Sequence, residues 1–289
     1  MTLENNKNKR IRALVESFLR RVPFTRSTYH QLDLMTDEIN SLKSAVDDAF
    51  RQGAASVALP PVPPSMLDEQ RRLVPKPSII LDVGAHHGHS TIEYLDAFPS
   101  ARVFAFEPDE ANNRQAVELL RPYGDRVRLS RLGLAEHVGK ASLHINSHDG
   151  THSLLPIGDM SYWHGQASEI EQVDIETTTL DSLAASEGWD RIDILKMDIQ
   201  GAELAALRGG SGLLAVGAID LLCLEVEFEH LYEGQPLFWD IAAYLNSLGY
   251  RLYRVYDWQY GLKRSNELCW ADAIFISPRL LSVPNGVGG

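Results

Sequence analysis

Residues 79–90 read Ile79-Ile80-Leu81-Asp82-Val83-Gly84-Ala85-His86-His87-Gly88-His89-Ser90. An apolar run of strand length leads straight into a turn punctuated by glycine, and a helical pattern opens at Ser90. Ligands of open α/β sheets sit outside the carboxyl ends of strands, at turns of this kind. Gly84 and Gly88 let the backbone reverse tightly and let a ligand approach the main chain.

The alternation continues on either side of later turns. Candidate strands are residues 79–83, 102–106, 127–132, 141–145, 192–197, 221–225, 250–256 and 273–277. Candidate helices are residues 90–97, 110–121, 201–209 and 238–248. Strands that alternate with helices predict an α/β class, Rossmann-like fold with a mostly parallel sheet and helices on both faces. The last two strands follow one another without a long helix, which predicts a C-terminal antiparallel hairpin.

Residues 1–53 read as an N-terminal helical extension, 54–77 as a linker and 78–289 as the main domain. In the extension Leu32, Met35, Ile39, Leu42, Val46 and Ala49 alternate at spacings of three and four. That stripe suits the seam of a coiled coil, giving a homodimer through residues 32–49, and equally an amphipathic helix packed on its own domain. Lys7, Lys9, Arg10, Arg12, Arg20, Arg21 and Arg26 surround apolar residues upstream, a pattern that suits peripheral contact with an anionic membrane or a solvated face. Pro60, Pro61, Pro63, Pro64, Pro75 and Pro77 predict an extended, semi-rigid linker.

Composition narrows the classes. Hydrophobic residues make up 44% and charged residues 23% of 289, as in globular proteins. A net charge of −12 repels phosphate backbones and argues against nucleic acid as substrate. The two cysteines, Cys223 and Cys269, form no CxxC pair, so no zinc or redox motif is present. No apolar stretch is long enough to span a bilayer, and the polar, basic N-terminus lacks the apolar core of a signal peptide. The expected location is the cytoplasm.

Three further stretches carry chemistry. The strand Val103-Phe104-Ala105-Phe106 ends at Glu107-Pro108, 23 positions after Gly84. An acidic residue at that spacing can accept both ribose hydroxyls of a nucleoside. A dinucleotide turn needs a second glycine where this chain has His86. S-adenosylmethionine carries no phosphate and tolerates the bulkier turn, so it is preferred here over a nicotinamide cofactor. In Ile192-Asp193-Ile194-Leu195-Lys196-Met197-Asp198, Lys196 and Asp198 share one face of a strand, with Asp198 at its carboxyl end. A charged pair in an apolar strand is expensive unless it serves a site. Glu203, in the next helix's first turn, suits either that site or the helix dipole. In Leu221-Leu222-Cys223-Leu224-Glu225-Val226-Glu227, Glu225 and Glu227 likewise share a face, and His230 follows. His86, His87, His89, His148, His152 and Asp149 fall in presumed loops. Asp149, His152 and the carboxylates could hold a divalent metal but show no recognised ligand spacing, so no metal ligand is assigned.

These stretches together resemble the FkbM family of methyltransferases. The resemblance rests on LDVGAHHGHST from Leu81, FAFEPDEANN from Phe104, TTTLDSLAASEGWDRIDILKMDIQGAELAALRGG from Thr177, and CLEVE from Cys223. One departure is Gln200, where the family commonly shows an acidic residue. The resemblance implies a class I methyltransferase fold with a seven-stranded sheet, S-adenosylmethionine as cofactor, and O-methylation of a hydroxyl. The acceptor would belong to a sugar or glycan or, alternatively, to a polyketide or other small natural product. Asp82, Gly84, Ala85, His86, Gly88 and Ser90 of the turn, with Glu107 and Pro108, would hold the cofactor. Gly133 and Leu134 would contact its adenine, and Asp198 would face both donor and acceptor. The candidate bases are Asp198, Glu225 and His230, with Lys196 orienting Asp198 or the acceptor oxygen. Asp149-Gly150-Thr151-His152-Ser153 would contact the acceptor. A binding or scaffold protein without catalysis is the rival class.

Overall fold

A computed structural model describes residues 64–158, 167–260 and 268–282. The coiled-coil stripe at 32–49 and the basic segment upstream lie outside the described residues. Among these residues no helix is long and apolar enough to cross a membrane.

The strands are β1 (Ile79–Val83), β2 (Arg102–Phe106), β3 (Val127–Ser130), β4 (Gly133–Leu134), β5 (Gly139–Asn146), β6 (Glu169–Thr178), β7 (Ile192–Met197), β8 (Ile219–Glu227), β9 (Arg251–Tyr260) and β10 (Leu268–Ile276). The helices are α1 (Met66–Leu73), α2 (His89–Ala97), α3 (Glu110–Leu120), α4 (Leu180–Glu187), α5 (Glu203–Arg208), α6 (Ser211–Ala215), α7 (Phe238–Ser247) and α8 (Pro278–Ser282). A seven-stranded sheet runs in the order β3-β2-β1-β7-β8-β10-β9. The five strands from β3 to β8 are mutually parallel, and β10 is antiparallel to both of its neighbours, as the expected terminal hairpin requires.

Alternation along the strands feeds two apolar layers. Leu81, Phe104, Leu195 and Leu222 face one layer, filled from outside by Leu183 of α4, Leu204 of α5 and Ile241 of α7. Ile80, Val103, Ile194 and Leu221, each one residue earlier, face the other, with Tyr94 of α2 and Ala116 of α3. The strands are buried on both faces, which is why they read as continuous apolar runs.

Two expectations are corrected. The first is that residues 54–77 are extended throughout. Met66–Leu73 is a helix, opened by a capping box in which Ser65 and Asp68 satisfy each other's backbone N–H groups. Glu69 and Gln70 of this helix are buried, and Glu69 binds Arg72, Tyr253 and Arg254. The flanking prolines bound the helix and do not extend it. The second is the place of residues 141–145, which join no strand of the large sheet. They belong to β5, which pairs antiparallel with β6 in a separate sheet of order β4-β6-β5. β6 was not expected from sequence; six of its ten residues are exposed, so alternation is blurred.

Candidate active site

The turn after β1 is built by backbone economy. Gly84 and Ala85 both donate their N–H to the Phe106 carbonyl, at 3.0 Å each, and Asp198 donates its N–H to Val83 O at 3.0 Å. Gly84 has φ +79°, and a Cβ there would lie 1.8 Å from the Asp198 carbonyl oxygen. Only glycine allows the two strand ends to come this close. Asp82 lies beneath the turn and is fully buried. It accepts from Ser90 Oγ (2.8 Å) and Thr91 Oγ1 (2.6 Å), and Lys196 Nζ sits 3.3 Å away. The same Nζ donates to Gly84 O at 3.0 Å and lies 3.7 Å from Asp198 Oδ2. Burial opposes the ammonium charge, but Asp82 and Asp198 outweigh it and raise the Lys196 pKa.

Above the turn opens a cavity, part of it open to solvent. Gly84, His86, Glu107, Pro108 and Asp198–Gln200, from the ends of β1, β2 and β7, form its floor. Leu132, Gly133 and Leu134, with Leu143 of β5 and Ile175 of β6, form an apolar wall. Asp149, Gly150, His152 and Ser153 form the rim. The small sheet therefore roofs the carboxyl edge of the large one.

Glu107 is 6% exposed. Its Oε2 accepts from the His86 N–H (2.8 Å) and its Oε1 from the Asp109 N–H (3.0 Å). Burial pushes its pKa up to about 7, against the pull of those two N–H groups. Each carboxylate oxygen retains a lone pair for a further donor.

Across the floor, Gln200 joins three side chains. Its Nε2 donates to Asp198 Oδ1 (2.9 Å) and Glu225 Oε2 (2.7 Å), and its Oε1 accepts from Tyr232 OH (2.7 Å). Its backbone adopts φ +57°, and its carbonyl accepts from Ser153 Oγ at 2.7 Å. This single residue ties the end of β7 to β8 and to the rim. Burial, followed by the neighbouring Asp198, raises the Glu225 pKa well above the carboxylate range. Glu203 is fully buried, turns back to accept the Ile199 N–H (2.8 Å) and stays off the cavity wall. His152 accepts the Asn146 N–H on Nδ1 (3.1 Å), and burial lowers its pKa. Neutral His152 therefore carries its proton on Nε2 and can donate it as a hydrogen bond.

Of the expected residues, Gly84, His86, Glu107, Pro108, Gly133, Leu134 and Asp198 line one cavity. Asp82, Ala85, Gly88 and Ser90 lie off this lining. Asp82 and Ser90 bond to each other, Ala85 is buried, and a Cβ on Gly88 would meet Leu120 and Ala116. Glu225 reaches the site only through Gln200, and Lys196 only from beneath the turn. His230 is exposed beyond β8 and does not line this cavity. Gln200 and Tyr232 were missed. A glutamine in a motif that favours an acid gives no sign of chemistry at position 200, and a tyrosine beyond β8 carries no pattern.

A family model for the methyltransferase FkbM domain matches residues 82–252, more than half of the chain. The chain belongs to the FkbM methyltransferase family. It is 30% identical over 185 residues to the 2-O-methyltransferase NoeI of Sinorhizobium fredii, covering 60% of this chain and 74% of NoeI. It is 26% identical over 165 residues to the AMB antimetabolite synthetase AmbE of Pseudomonas aeruginosa, covering 47% of this chain and 8% of AmbE. The solved FkbM methyltransferase of Methylobacillus flagellatus superposes with a TM-score of 0.43 at 18% identity, covering 68% of this chain and 43% of that one. Membership of the FkbM family and the sheet order together make this a methyltransferase with a class I, Rossmann-like fold.

Proposed function

We propose that this FkbM chain is an S-adenosylmethionine-dependent O-methyltransferase acting on a hydroxyl of a sugar or glycan. The observation that carries the reading is the placement of Glu107 and Asp198 in one cavity, at the ends of two parallel strands that flank β1. The residues fit the cofactor. Glu107 has lone pairs for ribose hydroxyls, the glycine turn admits a ligand against the backbone, and Leu132, Leu134 and Ile175 offer an apolar wall to a purine. When bound, S-adenosylmethionine supplies an electrophilic methyl group on a sulfonium.

The chain's own residues then have separable tasks. Asp198 faces the cavity and takes the proton from the acceptor hydroxyl as the oxygen attacks. Gln200 holds one Asp198 oxygen, and Lys196 balances the carboxylate from below. Neutral His152 donates to an acceptor oxygen, and Asp149 and Ser153 offer further polar contacts. A rim with both donors and acceptors favours a polyol over an apolar natural product, and it agrees with the 2-O-methyltransferase activity named for NoeI. Much of the acceleration would come from holding the two reactants in line.

Calorimetry with S-adenosylmethionine on wild type and Glu107→Gln tests the cofactor. Saturable binding that the substitution weakens supports it. Absence of binding by folded wild type would overturn it in favour of a scaffold role. Mass spectrometry of sugar acceptors incubated with enzyme and cofactor then reads the transferred methyl group.

A further inference from the structure

We propose that His86, His87 and Asp149 form a binding site for one divalent transition-metal ion at the rim of the cavity. The argument starts with the turn. In extended backbone, successive side chains point to opposite sides. His86 instead adopts φ +51°, between Gly84 at φ +79° and Gly88 at φ +91°. Left-handed backbone on both sides of the pair turns two consecutive imidazoles the same way. They stack with centroids 3.7 Å apart and planes 20° from parallel.

Both rings present Nε2 to the same oxygen. Asp149 Oδ2 lies 3.5 Å from His86 Nε2 and 3.2 Å from His87 Nε2, and the three atoms lie within 4.8 Å of one another. A tetrahedral cation with bonds of about 2.0–2.1 Å separates its ligands by about 3.3 Å. The two observed separations bracket that edge. His86 Nε2 is buried without a hydrogen-bond partner. Asn112 Oδ1, 3.1 Å from His87 Nε2, offers a fourth donor atom. Two protonated imidazoles stacked this closely would repel each other across one carboxylate. One cation between neutral rings and the carboxylate satisfies all three groups.

The donor set selects the metal. Two imidazoles and a carboxylate suit zinc, cobalt, nickel or iron(II), whereas magnesium and calcium prefer all-oxygen sites. His86 and Asp149 line the cavity, so open coordination positions would face the acceptor. There a cation would lower the pKa of a bound hydroxyl and assist its deprotonation. That role rests on the proposed O-methylation; the site itself does not.

The test uses the full chain, without a histidine tag and freed of metal by a chelator. Cobalt(II) is titrated by calorimetry and visible absorption into wild type, His87→Ala, Asp149→Asn and the control His137→Ala. The expected result is one cobalt per wild-type chain with ligand-field bands. Affinity should fall at least about tenfold in His87→Ala and Asp149→Asn and stay unchanged in the control. Asp149 is half exposed, so Asp149→Asn tests the site even where His87→Ala fails to fold. No saturable binding near one equivalent, or equal affinity in wild type and Asp149→Asn, would overturn the proposal. Neither result touches the cofactor reading, which S-adenosylmethionine calorimetry tests separately.

Discussion

Glu107 combines two demands that conflict. It must be buried to form the cavity floor, and it must be ionised to accept two hydroxyl donors well. Burial lifts its pKa to about 7 in the free protein. Donors that bind the carboxylate favour its charged form, so ligand binding below that pH releases a proton. The affinity for S-adenosylmethionine should therefore rise as pH increases through about 7 and level off above it. Calorimetry in buffers of different ionisation enthalpy would detect the released proton. At Gln200 the amide donates to two carboxylates at once, which an acid there could not do. Gln200→Glu should force a third carboxylate against Asp198 and Glu225. Loss of hydrogen bonds to charged groups costs about 1.5–3 kcal/mol, so kcat should fall roughly tenfold to a hundredfold, as steady-state kinetics would show.

At the scale of elements, two junctions hold the domain together. The crossing of the β1 turn with the end of β7 depends on Gly84. Gly84→Ala would set a Cβ 1.8 Å from the Asp198 carbonyl in left-handed backbone. Strain and overpacking together should cost about 3 kcal/mol or more in denaturant unfolding. The second junction is Asp220, fully buried at the start of β8 and paired with both Arg191 and Arg279. It fastens α8, and through it the end of β10, to the centre of the sheet. Asp220→Ala removes the carboxylate held by Arg279 and shared by Arg191, which keeps Asp193, and should cost about 1.5–3 kcal/mol, read as a lower midpoint in urea.

At the scale of the molecule, buried acids set the pH response. Burial raises Glu203 and Asp272 to about 7, as it does Glu107, and holds Glu225 and Glu227 well above the usual carboxylate range. In the unfolded chain these groups lose their protons near pH 4–4.5. The folded state therefore holds more protons through that window, and stability falls as pH rises from about 4.5 to 7. His86 and His152, lowered chiefly by burial, act the other way, and only up to their ordinary value of 6.5. The thermal midpoint should be lower at pH 8 than at pH 6, as calorimetric scans would record.

The amino-acid sequence by itself determined the parallel strands, the glycine turn and the acidic strand ends. Each is local: a run buried on both faces reads as apolar, a sharp turn demands glycine, and a carboxylate at a strand end breaks the run visibly. It also pointed to Glu107 and Asp198, and to Asp149-Gly150-Thr151-His152-Ser153 at the rim. Only the tertiary structure decided which of the marked residues share a space. Asp82 reads like a ligand contact, yet Ser90, Thr91 and Lys196 absorb its carboxylate. The helix at Met66–Leu73 hid between prolines because its evidence is a two-residue cap, completed by distant partners in β9. The role of Gln200 depends on Asp198, Glu225 and Tyr232 converging from separate elements. The pairing of His86 and His87 with Asp149 depends on the sign of one backbone angle and on a loop some 60 residues away. Such convergence is a property of three-dimensional packing, to which spacing along the chain is blind.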